Sequence, residues 1–217
     1  MHSVPWFINP WLAMFPVLGT LHEIYCELDN EISQWALKSQ FNCPEGCGLC
    51  CTNFEPRVGQ AEALYLACYY ISQSSQCLES LKSLKEVPPC FFYDPEPGPA
   101  KGHCSVYPGR PLICRLFGFS ASRNKQQQLV FRLCKIMHQN EERQFTEEIL
   151  KERFKILPPE MGRYSSQVNT LSPDLNWESM PLKQAVEKAI AHLYLKQKYL
   201  GLEGSPHIES SKEDFIA

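Results

Sequence analysis

Residues 41–59 read FNCPEGCGLCCTNFEPRVG. Cys43, Cys47, Cys50 and Cys51 fall within nine residues as C-x3-C-x2-C-C. Pro44, Gly46, Gly48, Pro56 and Gly59 exclude a regular helix or strand through this stretch. It is an irregular loop dense in thiols. Such spacing suits a metal, because several thiolates must converge on one ion, at about 2.3 Å from each sulfur for zinc. The glycines between the cysteines free the backbone to turn. Neighbouring side chains diverge unless the backbone turns sharply, so Cys50 and Cys51 are expected to serve two ions or two edges of one polynuclear cluster.

The rest of the chain sets bounds on this reading. With 217 residues, 44% hydrophobic and 21% charged, it is long enough and apolar enough for one globular domain. The net charge of −3, with Lys and Arg scattered, gives no electrostatic case for nucleic acid. Eleven cysteines, an odd number, argue against a complete disulfide framework. A reducing cytoplasm is the expected location, where grouped cysteines read first as metal ligands. The N-terminal stretch MHSVPWFINPWLAMFPVLGT lacks a basic n-region and is broken by Pro5, Pro10 and Pro16. It therefore reads neither as a signal peptide nor as a transmembrane segment.

Outward from the loop, residues 1–16 form an apolar arm. It is expected to pack on its own domain, with a protein partner reached through Trp6, Phe7, Trp11 and Phe15 as the alternative. Residues 17–40 carry Leu21, Ile24, Leu28, Ile32 and Trp35 at helical spacing, and Thr20 with Glu23 fits a capping box. A second helix is expected over 60–72. Between 88 and 135, the runs CFFYD, CSVY, LICRLFGF and QLVFRLC alternate with PEPGPAKG, PGRP and SRNKQ, which predicts small strands or hairpins around a site. Two helices follow. One begins near Thr146 in TEEILKERFKIL. The other spans 181–200, with Leu182, Val186, Ala189, Ile190 and Leu193 on one face, Pro181 in its first turn and Gly201 at its C-terminal cap.

The expected fold is mainly α with small β-hairpins, its helices packed around a cysteine-rich, loop-borne metal centre. A single domain covers 17–202, with its core motif at 41–135 and C-terminal helices at 146–202. The segment 203–217 is a polar tail.

Local structure also sorts the cysteines. Cys26 and Cys68 lie in helices and Cys77 beside one, so these three read as structural. The loop's four thiols join Cys90, Cys104, Cys114 and Cys134 in turn-rich segments. Eight thiols suffice for two four-thiolate sites or one large cluster. Clustered thiolates leave a negative site, and cations nearby offset it. Arg110 and Arg115 bracket Cys114 and are assigned to that charge compensation, with Arg57 after the first loop as a further candidate. Pro108 and Pro111 stiffen the approach to Cys114. His103, next to Cys104, reads as a plain loop histidine.

These residues resemble a known family. Cys43-x3-Cys47-x2-Cys50-Cys51, then Cys90, then Cys104-x-x-Tyr107-x-x-Arg110-Pro111-x-x-Cys114-Arg115 is similar to the YkgJ-type cysteine-cluster family, whose domain is described as zinc- or iron-chelating. The resemblance covers about residues 41–135 and implies zinc or iron, including an iron–sulfur cluster. The Pro/Gly-rich PEPGPAKG between Cys90 and Cys104 departs from the pattern and lengthens that loop. Cys43-x3-Cys47-x2-Cys50 also resembles the radical S-adenosylmethionine motif, but the alternating strands and helices which those enzymes need do not follow it. The first motif resembles the flagellin lysine methylases as well.

No H-E-x-x-H, G-x-S-x-G or nucleotide-binding glycine loop is present. A cysteine–histidine nucleophile has His22, His103 and His138 as candidates and no evident pairing. The leading reading is therefore a metal-binding protein, because eight thiols favour a saturated site. An iron–sulfur oxidoreductase or an S-adenosylmethionine-using group-transfer enzyme is the alternative. Thiolates suit zinc and iron alike.

Overall fold

The computed structural model describes residues 3–44, 47–52, 54–73, 90–95, 103–137, 144–171 and 177–199. The expectations for Cys77, His138, Gly201 and the tail 203–217 lie outside them. Six helices are described: α1 (Val17–Ser39), α2 (Gln60–Gln73), α3 (Leu112–Leu116), α4 (Glu147–Phe154), α5 (Met161–Asn169) and α6 (Leu182–Tyr199). Seven short strands accompany them: β1 (Arg57–Val58), β2 (Tyr93–Asp94), β3 (His103–Cys104), β4 (Ala121–Arg123), β5 (Leu129–Arg132), β6 (Gln144–Thr146) and β7 (Met180–Pro181). The protein is thus mainly α with small antiparallel sheets, as its sequence leads one to expect. No described helix is long and apolar enough to cross a membrane.

The long helices follow their apolar stripes. In α1, Leu18, Leu21, Tyr25, Leu28 and Trp35 are buried, and Gln40 at φ 62° ends the helix in a left-handed cap. The helix starts earlier than its capping-box pattern suggests. Pro16 occupies the N-cap and no side chain caps the helix, so Thr20 and Glu23 sit inside it. Proline pre-sets a helical φ and lacks the N–H that would otherwise go unpaired, which lets the helix begin a turn sooner.

Two expectations over short stretches change. LICRLFGF is not a strand. Leu112–Leu116 coils into α3, with Pro111 extended at its N-cap and Phe117 extended at its end. Gly118, at φ 80°, then reverses the chain against Cys134, which a Cβ there would meet at 3.2 Å. The helix α5 was not foreseen, because MGRYSSQVN buries only Tyr164 and Val168.

The main core joins α1, α2 and α6. It includes the arm's Phe7, Ile8, Trp11 and Phe15, all buried, and leaves Trp6 65% exposed. A second core forms where Trp35 meets the β4-β5-β6 sheet, its ring 5.1 Å from Phe131 and 5.2 Å from Phe154. Two hairpin-like pairings bring the thiol segments beside the main core. β1 pairs with β7, which fixes the chain after the first loop against the start of α6. β2 pairs with β3, setting Tyr93 opposite Cys104.

Candidate metal centre

The first loop closes through local hydrogen bonds. Cys47 N–H donates to Pro44 O (3.1 Å) and Cys51 N–H to Gly48 O (2.8 Å), and the Thr52 hydroxyl donates to Leu49 O (2.8 Å). Leu49–Cys51 is therefore a 3-10 turn. That turn overrides the divergence expected of adjacent side chains: Cys50 and Cys51 hold their sulfurs 3.9 Å apart. The pair is spaced for one ion, so adjacency no longer argues for two.

Two longer-range bonds bring in the other segments. Cys90 N–H donates to Cys51 O (2.7 Å), and Tyr93 N–H donates back to Cys90 O (2.9 Å). The β2–β3 register then places Cys104. As a result, Cys104, Cys50 and Cys90 all stand close enough to Cys51 to act on its thiol. Cys47, Cys50, Cys51, Cys90, Cys104 and Cys114 all line one cleft of about 40 Å³, with Tyr107, Arg110 and Leu182 among its other walls. Cys43 is not part of the cleft wall, and Cys47 and Cys134 lie close enough to act on it electrostatically.

The eight thiols foreseen are thus brought to one region. Among the described residues, however, no three His, Cys, Asp or Glu side chains already form a closed shell around a point. A metal shell needs the sulfurs deprotonated and drawn inward.

The electrostatics are uneven. The Cys51 S–H supports negative charge on its neighbours, and this is the first reason that Cys50 drops to about 6, helped by Arg110. The same hydrogen bonding lowers Cys90 and Cys104. Cys51 itself is raised, because Cys104, Cys50 and Cys90 hold its proton. Burial and then Cys47 push Cys43 up to about 12. Burial raises Cys114, reinforced by Cys90, Cys104 and Cys50.

The two arginines that bracket Cys114 face different ways. Arg110 lies over the Tyr107 ring, 3.7 Å from its centroid, lines the thiol cleft, and has its Nε buried without a hydrogen-bond partner. Arg115 is 5% exposed and pairs with Asp29 of α1. It donates to Arg110 O (3.0 Å) and Pro108 O (2.7 Å) and is not part of the cleft wall. Arg57 donates to Ser179 O. His103 sits in β3 opposite Asp94.

Elsewhere, His22 Nε2 lies 3.3 Å from Cys26 Sγ and Nδ1 lies 3.0 Å from the Tyr65 hydroxyl, a pairing that sequence could not supply. Burial, Asp29 and Glu23 raise the Cys26 thiol, which opposes a ready nucleophile. Cys68 is fully buried and raised by that burial, as befits a structural thiol. Sequence reasoning passed over Glu62, the only acid in the first turn of α2, whose burial among apolar neighbours was its one available signal.

Comparison with protein families agrees with this geometry. Residues 42–148 match the family model described as "CxxCxxCC: Putative zinc- or iron-chelating domain". That part of the chain is similar to the CxxCxxCC domain. The CxxCxxCC segment holds all eight thiols, the hairpin β2–β3, α3 and the β4-β5-β6 sheet. The helix α1 lies before it, and α5 and α6 lie after it. No curated protein and no solved structure matches the chain.

Proposed function

We propose that the protein binds zinc or iron through cysteine thiolates, in a role other than catalysis. The observation that carries this reading is the convergence of Cys50, Cys51, Cys90 and Cys104 on one cleft. Once deprotonated, four thiolates so placed would be held together by a cation at their centre. The 3.9 Å spacing of Cys50 and Cys51 is close to the edge of a tetrahedron, about 3.8 Å when each sulfur is about 2.3 Å from zinc. Soft thiolates suit zinc and iron–sulfur clusters alike.

Cys50, Cys51, Cys90 and Cys104 form the inner ligand set of this reading. Cys114 stands next to it, and Cys43, Cys47 and Cys134 form a second group able to extend it to a larger cluster. Arg110 offsets the accumulated negative charge from the wall of the cleft, and Arg115 acts behind it. A saturated thiolate shell supplies structure, storage or delivery rather than an open catalytic position. A reducing cytoplasm suits a centre built from free thiols.

The test is metal analysis of protein purified under nitrogen, with a visible absorption spectrum. Stoichiometric zinc in a colourless protein supports the zinc form. Brown protein with iron and sulfide supports a cluster and reopens redox chemistry. Protein that retains neither metal, and takes up neither when offered it, overturns the proposal.

A further inference from the structure

Glu62 stands in the first turn of α2 with its carboxylate almost wholly enclosed. Its Oε1 accepts from the Tyr25 hydroxyl of α1 (3.1 Å) and from the backbone N–H of Leu112 (2.7 Å). Leu112 opens α3, two residues before Cys114. Arg115, on the same short helix, ties the carbonyls of Arg110 and Pro108 to Asp29 of α1. Its guanidinium also lies 4.2 Å from the centroid of the Tyr25 ring, so Tyr25 touches both clamps. Between the tied carbonyls, Gly109 presses on α2: a Cβ there would stand 2.8 Å from Tyr69 Cβ.

None of Glu62, Arg115, Asp29 and Tyr25 lines the thiol cleft. Yet the segment they hold carries Cys104, Tyr107, Arg110 and Cys114. A five-residue helix has too few internal bonds to hold itself, since helix nucleation is unfavourable over so short a span. The turn at Tyr107–Gly109 is shorter still. Burying a carboxylate and a guanidinium is costly unless their hydrogen bonds are met, and here those bonds go to the backbone of the ligand-bearing segment.

We infer that Glu62 and Arg115 are positioning residues for the metal centre. From α1 and α2 they hold residues 104–115 in place, so that Cys104, Cys114 and Arg110 meet Cys50, Cys51 and Cys90. This inference rests on the metal-binding function proposed above.

The test uses full-length protein and Co²⁺ alone as the probe. It reads affinity by chelator competition and geometry by the thiolate-to-cobalt charge-transfer absorption. Glu62→Leu removes both acceptor contacts at nearly constant volume, and affinity should fall roughly 10–100-fold with a weakened charge-transfer band. Glu62→Gln keeps an acceptor and should recover most of both. Arg115→Lys keeps the charge but cannot reach two carbonyls and Asp29 together, and it should also weaken binding. Arg163→Ala, which breaks the surface pairs to Glu27 and Glu31 on α1 and the stacking on the Tyr164 ring, all away from residues 104–115, should match the unaltered protein.

Folding is checked by far-ultraviolet circular dichroism. Should Glu62→Leu not fold, Arg115→Lys decides the question. Folded variants that bind Co²⁺ with unaltered affinity and spectrum overturn the inference while leaving the metal site intact, and a Glu62→Gln protein as impaired as Glu62→Leu overturns it too. Failure of the unaltered protein to take up Co²⁺ overturns the parent proposal and this one with it.

Discussion

The carbonyl of Cys51 accepts the Cys90 N–H at 2.7 Å, and both residues line the same cleft. The backbone bond fixes the distance between segments far apart in sequence, and the sulfurs follow from it.

Substitution of Cys51 should therefore be the most damaging single change. Cys51→Ser removes the sulfur on which Cys50, Cys90 and Cys104 all act, and its metal content should fall close to zero. Cys114→Ser leaves the four inner thiols in place and should weaken retention, not abolish it. Elemental analysis after gel filtration against a weak chelator separates the two outcomes. Equal losses in both variants would show that Cys51 has no special place.

Thiol reactivity should not follow exposure. Cys43 is exposed as a residue while its sulfur is partly enclosed, which pushes it up to about 12, and Cys50 is brought down to about 6. The thiolate is the reacting form. At neutral pH, iodoacetamide should therefore label Cys50 before Cys43 in metal-free protein, and zinc should suppress labelling of Cys50. Peptide mapping by mass spectrometry gives the order directly.

Cys68 should behave in the opposite sense. It is fully buried in the main core, so Cys68→Ser places a hydroxyl among apolar side chains. The cost should be about 1–3 kcal/mol, visible as a lower urea midpoint. Metal stoichiometry should not change. Loss of metal in a folded Cys68→Ser protein would mean that the division of the cysteines is mistaken.

Burial holds the Glu62 carboxyl above the ordinary carboxylate range, against the lowering effect of the Leu112 N–H, the Tyr25 hydroxyl, the Gly59 N–H and Arg115. The folded state consequently binds this proton more tightly than the unfolded chain does. The resulting stabilisation is complete below the unfolded value, near pH 4.3, and disappears as pH rises through the folded one. Metal-free protein should lose stability over that window, and Glu62→Gln should flatten the loss. Urea midpoints measured across the acidic range check this.

Much of the fold was legible in particular side chains. The stripe in α1 and that of Leu182, Val186, Ala189, Ile190 and Leu193 in α6 face the core as their spacing requires. The helix α3 was not legible, because LICRL is apolar without a clear period and its first N–H is accepted by Glu62, far away in sequence. The Thr20–Glu23 pattern misled because Pro16 had already started the helix. In the site, spacing was enough to group the eight thiols, but not to show which of them touch. That depends on strand register and on one loop-to-loop backbone bond. Arg110 and Arg115 look equivalent beside Cys114 in the sequence, and only tertiary packing turns one toward the sulfurs and the other toward Asp29.

Leu182, the first residue of α6, helps to wall the thiol cleft, and its N–H is tied to Pro56 O at 2.9 Å. A nascent chain that has exposed every cysteine but not yet residue 182 therefore lacks one side of the cleft. The cleft wall is completed only when the start of α6 has folded back onto the chain that follows the first loop.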